Sequence, residues 1–82
     1  MSVHYSLDLV GIMPTAHVER VERPTDRAPY VTVKRLCSRK VPRVVAAAEA
    51  PHCDLGEVVL AMSGPNACDI CLREWEEVAG RG

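Results

Sequence analysis

The tetrapeptide Cys68-Asp69-Ile70-Cys71 limits most strongly what this chain can fold into. Two thiolates separated by two residues converge on one ion when they straddle a loop-to-helix junction. Zinc completes its shell with four such donors in a tetrahedron, and soft thiolates suit it. The start of a helix also favours the thiolate form that a metal requires. Two rival readings exist: a thioredoxin-like redox pair and a pair of buried thiols. The redox motif asks for a βαβ unit, and no helix is expected between the first strands.

A cross-link matters because the chain is short. Its 82 residues suit one domain over 1–82, and a core that small is marginal without a staple. Aromatics normally carry much of a small core's burial, yet Phe is absent and only Tyr5, Tyr30 and Trp75 are present. The cysteines Cys37, Cys53, Cys68 and Cys71 therefore supply either two disulfides or a metal site, and the compartment decides between them. Residues 1–6 carry no basic region, and the apolar run 7–13 is broken by Asp8 and Gly11. That is a poor secretory signal and too short to span a membrane. The expectation is a cytoplasmic chain with reduced thiols and one structural zinc ion.

Residues 3–10 are rich in β-formers and read as a strand, which residues 11–14 break. Residues 16–22 read as a second strand, with Ala16, Val18 and Arg20 on one face and His17, Glu19 and Val21 on the other. A polar loop containing Pro24 leads into residues 30–36, the best strand of the chain, so strands two and three form a hairpin. Pro42 interrupts the apolar run 41–48 and confines a strand there to a sheet edge. Residues 46–50 read as a short helix or a loop. Asp54 and Glu57 have capping-box spacing, and Leu55, Val58, Val59 and Met62 share one helical face, which favours a helix over a competing strand. In the last segment Asn66 is the expected cap and Gly80 the expected stop. Cys68, Cys71, Leu72, Trp75, Val78 and Ala79 line one face of that helix. The fold class is α+β: a small zinc-stapled domain with N-terminal antiparallel strands followed by one or two short helices.

Cys37 is the third expected ligand, because it follows the best strand and precedes the turn-like residues 38–40. The fourth is contested. Cys53 is the first choice, since it completes a Cys-only site. His17 is the alternative, because it neighbours Cys37 across the expected hairpin. His52 and His4 stand behind them. Leu36-Cys37-Ser38-Arg39 followed by Cys68-Asp69-Ile70-Cys71-Leu72 resembles the short uncharacterised zinc-ribbon-like proteins of actinobacteria and their phages. There an upstream His often precedes a Leu-Cys-Gly-Arg-like segment, and Cys-x-x-Cys-Leu follows. The resemblance implies a metal-stapled β/α module, supports Cys37, Cys68 and Cys71, and raises His17. This chain departs from the pattern in carrying Ser38 for Gly and in the long stretch between His17 and Cys37.

Four protein ligands make a zinc site structural, since a catalytic zinc keeps a position open for water. No phosphate loop, nucleophile elbow or general base accompanies the cysteines, and the expectation is a binding module, not an enzyme. Charge divides the chain: residues 1–43 hold eight Lys/Arg against four Asp/Glu, and residues 44–82 hold two against seven. The last helix, with Trp75 and Glu76, is the expected contact for a protein partner and a regulatory role. The basic stretch 34–43, with Arg39 and Lys40, is the alternative and would contact nucleic acid. Against nucleic acid stand the net charge of −1 and the lack of stacking aromatics among the basic residues.

Overall fold

Four strands and two helices follow one another in a computed structural model that describes residues 2–12 and 14–81. Strands β1 (Ser2–Val10), β2 (Thr15–Arg23), β3 (Tyr30–Arg35) and β4 (Arg43–Ala46) form an antiparallel meander in the order β1-β2-β3-β4. Gly11, at φ 98°, takes the left-handed conformation that the β1–β2 turn needs and that glycine adopts without strain. Met13, at the end of the apolar run, lies outside the described residues. β4 begins directly after Pro42 and is a sheet edge, where a residue without an N–H does no harm. A single 3-10 turn, Ala47–Glu49, follows it.

The alternation expected of β2 is realised. Ala16 and Val18 face the helices and join Val58, Met62, Cys71 and Trp75 in one core. Val21 faces the other way and packs with Val31 and Val33 under Val45, Ala47 and Ala50. Both faces of the sheet therefore bury apolar side chains, which is why the strands do not alternate cleanly between apolar and polar.

Helix α1 (Leu55–Met62) and helix α2 (Asp69–Arg81) pack on the β1–β2 side of the sheet. On α1 only Val58 and Met62 are buried, while Leu55 and Val59 stay exposed. Asp54 does precede α1, but its side chain makes no cap hydrogen bond; its carbonyl accepts from the N–H groups of Glu57 and Val58 instead. The capping box therefore does not form. Trp75 is buried and meets Tyr5 edge-on, with ring centroids 5.3 Å apart. α2 runs through Gly80, because glycine permits a left-handed stop without imposing one.

One connection ties the second half of the chain to the sheet. β3 runs out beside β2 where the Leu36 N–H donates to the Val18 carbonyl at 2.9 Å. Beyond that point residues 66–68 take its place in line. The Ala16 N–H donates to the Asn66 carbonyl, and the Cys68 N–H to the Ala16 carbonyl, closing a parallel bridge between Ala16 and Ala67. Asn66 is thus engaged with β2 and is not the cap of α2.

Candidate metal centre

His17, Cys37, Cys68 and Cys71 converge where β3 ends and residues 66–68 succeed it. Their ligand atoms all lie within 4.8 Å of one another. Each arrives for a local reason. His17 sits on β2, one residue past the Ala16 bridge. Cys37 is the second residue after β3, and the antiparallel β2–β3 register carries it back toward His17. Cys68 leaves the bridge, and Cys71 lies in the first turn of α2.

The distances suit a tetrahedron. Zinc–sulfur bonds of about 2.3 Å and zinc–nitrogen bonds of about 2.0 Å put neighbouring donors about 3.5–3.8 Å apart. His17 Nδ1 lies 3.4 Å from Cys37 Sγ and 3.7 Å from Cys71 Sγ. All four cysteines of the chain are free thiols. The donor set of three thiolates and one imidazole is that of a structural zinc site.

The backbone prepares these sulfurs unequally. At Cys68, burial alone would raise the thiol. The backbone N–H groups of Cys71 and Ile70, with thiol contacts from Cys71 and Cys37, outweigh it and leave the group below its ordinary value. Cys68 stands at the cap position of α2, where its carbonyl accepts from the Leu72 N–H at 2.8 Å. Cys71 is fully buried, and burial pushes its thiol up to about 12. The N–H groups of Val18 and Cys37 oppose that rise, while the Cys37 thiol adds to it. A cation placed among these groups displaces the protons and pairs with the resulting thiolates.

Asp8 is the residue paired with His17 in the β1–β2 register. The Asp8 carboxylate accepts from Arg35 Nε at 2.9 Å and from Arg35 Nη2. This pair is not legible in the sequence; the registers of β1, β2 and β3 create it.

Cys53 belongs to a different place. Its Sγ lies 4.0 Å from the Tyr5 carbonyl, and its side chain packs at the margin of the core. It is outside the four-residue group, so the fourth position goes to His17 and not to Cys53. The physical reason is the Ala16–Ala67 bridge, which draws the paired cysteines to β2, while Cys53 follows the chain along β1. His4 and His52 also lie apart from the group: their rings are 5.7 Å from each other, and His4 Nε2 approaches the Pro51 carbonyl at 3.0 Å.

The remaining candidates scatter. Glu76, Arg39, Lys40 and Lys34 are exposed. Arg35 is engaged with Asp8, and Arg43 Nη2 lies 3.2 Å from Glu19 Oε2. Trp75, as a core residue, offers only an edge to the surface. Among the described residues no helix is long and apolar enough to cross a membrane. No protein-family model matches the chain, and no curated protein or solved structure is significantly similar to it.

Proposed function

We propose that the chain is a small regulatory module that binds another protein and is folded around one structural zinc ion held by His17, Cys37, Cys68 and Cys71. The convergence of those four donors within 4.8 Å, from β2, the end of β3 and the start of α2, carries the metal part of the reading. Four protein donors leave no position for water, so the ion acts as a staple and not as a catalyst. Reduced thiols suit a cytoplasmic setting. The zinc-ribbon-like resemblance adds an actinobacterial or phage one.

A protein partner is favoured over nucleic acid by how the charges are spent. Arg35 and Arg43 are drawn into pairs with Asp8 and Glu19, which leaves Lys34, Arg39 and Lys40 from the basic stretch. Helix α2, by contrast, exposes Asp69, Glu74, Glu76 and Glu77.

Elemental analysis of purified protein tests the staple. One zinc per chain, lost in Cys68→Ser, is the expected result. A folded, metal-free wild type that is insensitive to reductant would overturn it. For the partner class, association with a protein that responds to Glu76→Lys marks a protein interface. Binding of a nucleic-acid probe that collapses with salt and with Arg39→Ala or Lys40→Ala marks nucleic acid.

A further inference from the structure

A groove of about 570 Å³ opens between β1, α1 and α2. Val3, Tyr5, Leu55, Val59, Trp75 and Val78 line most of it, and no Lys or Arg does. α1 is the wettest of these walls. It carries one charged residue, Glu57, yet Leu55 is 62% and Val59 48% exposed. Apolar side chains set side by side in a groove offer a seat for the apolar side chains of another surface.

The rim of the groove is acidic. On α2, Glu74 lies one turn before Val78 and Glu76 three residues before Ala79, so each stands beside a lining residue. Asp54 adjoins Leu55. All three are exposed. Arg73 lies two residues from Trp75 and hence on the far side of the helix. An occupant must therefore offer apolar side chains flanked by cations.

The chain itself displays such a segment. From the β3–β4 connection into the start of β4 runs Arg39-Lys40-Val41-Pro42-Arg43-Val44. Val41 is 90% and Val44 68% exposed, and neither Arg39 nor Lys40 makes an ion pair among the described residues. The groove borders β1 and the basic segment enters β4. These strands are the two opposite edges of the sheet. The two surfaces therefore cannot meet within one molecule.

We infer that copies of this chain associate head to tail, with Val41 and Val44 of one copy seated in the β1–α1–α2 groove of the next and Arg39 and Lys40 set against Glu74 and Glu76. The inference rests on the reading of the chain as a protein-binding module and names a second copy as its partner. The contact is heterologous: each copy uses one surface as donor and the other as acceptor. A groove-to-groove dimer would instead bring two acidic rims together, which like charge opposes.

Sedimentation velocity over a wide concentration range, on the zinc-loaded chain, tests this. The expected result is a mass that at least doubles with concentration and falls back toward the monomer in high salt. Val59→Asp damages only the groove and Val41→Asp only the segment; each alone is expected to remain monomeric. Mixed together they are expected to form a one-to-one dimer, because each still carries the surface that the other lacks. Metal content and far-ultraviolet circular dichroism on both variants separate a lost contact from a lost fold, and a metal-free chain would count against the module reading instead. A wild type that stays monomeric throughout overturns the head-to-tail contact. So does a Val41→Asp variant that associates like the wild type, which would place groove against groove, and so does a mixture that fails to pair.

Discussion

His17 Nδ1 lies 3.4 Å from Cys37 Sγ, although twenty residues separate them along the chain. The β2–β3 meander alone creates that approach, and the paired cysteines of the loop before α2 close around it. Replacing the imidazole removes one of four donors. His17→Ala is therefore expected to lose stoichiometric metal, whereas Cys53→Ser is expected to keep one ion per chain. Elemental analysis of the two variants side by side decides it. Metal lost in Cys53→Ser and retained in His17→Ala would reverse the assignment.

Metal removal should unfold the chain. The Ala16–Ala67 bridge and the first turn of α2 both lead directly into ligands, and binding energy of about 10–16 kcal/mol for structural zinc near neutral pH exceeds the whole stability of an ordinary small domain. A strong chelator is expected to abolish the cooperative thermal transition, read by circular dichroism.

A metal ion that binds these thiols must displace protons, which gives its binding a sign in pH. Burial raises the Cys71 thiol to about 12 in the metal-free fold, so that fold prefers the protonated sulfur, and the preference is lost as pH rises through that value. Zinc needs the thiolate and reverses the preference. Binding at neutral pH is therefore expected to release protons from the cysteines, and affinity is expected to rise with pH. Calorimetric titrations in two buffers of different ionisation enthalpy measure the release directly. Identical heats in both buffers would count against thiolate ligation.

Much of this architecture is legible in the chain. Residues 3–10, 16–22 and 30–36 read as strands from β-former content, and each is one, within a residue or two at its ends. The helix over 55–62 follows from the spacing of Leu55, Val58, Val59 and Met62, although only Val58 and Met62 are buried. Pro42 stands just before β4, and β4 is a sheet edge, as a proline in the run 41–48 suggests. The choice between Cys53 and His17 was not legible. Each is a sound zinc ligand by its chemistry, and local spacing says nothing about a bridge between Ala16 and Ala67, which are far apart in the chain. Asn66 misled for the same reason: its cap-like chemistry was visible, but its carbonyl's role against β2 was not. Cys68 stands at the cap position instead, its carbonyl accepting from the Leu72 N–H.

Helix α1 has a local weakness that substitution can repair. Gly56 occupies its second residue, has ordinary helical backbone, and a Cβ built there meets nothing within 4 Å. Glycine costs a helix about 0.5–1 kcal/mol relative to alanine, chiefly through the freedom it loses on folding. Gly56→Ala is expected to stabilise the zinc-loaded chain by about that amount, read as a rise in Tm. No change or a loss would mean that α1 frays at its start and gains nothing from propensity there.

Glu19 is the second adjustable position, and its effect carries a sign in pH. Its side chain is buried on β2, and Oε2 has no hydrogen-bond donor among the described residues, although Arg43 Nη2 stands 3.2 Å away. Burial, the largest influence, raises its carboxyl; Arg43 lowers it, Asp8 raises it and Arg35 lowers it, and the net shift is upward. The fold therefore holds the proton more tightly than the unfolded chain does. That stabilisation is full below the unfolded carboxyl's value and is lost as pH rises through the folded one. Near neutral pH the ionised group thus weighs against folding. Glu19→Gln keeps the shape and removes the charge, while Arg43, more than half exposed, stays solvated without its partner. The expected result is a gain of about 1 kcal/mol near neutral pH that shrinks as pH falls toward the carboxyl's range. Denaturant unfolding of the zinc-loaded chain across the pH range in which the metal stays bound measures it. A loss at neutral pH would show instead that the Glu19–Arg43 pair holds the segment between β3 and β4 against the sheet, with Coulomb attraction outweighing the cost of burying the carboxylate.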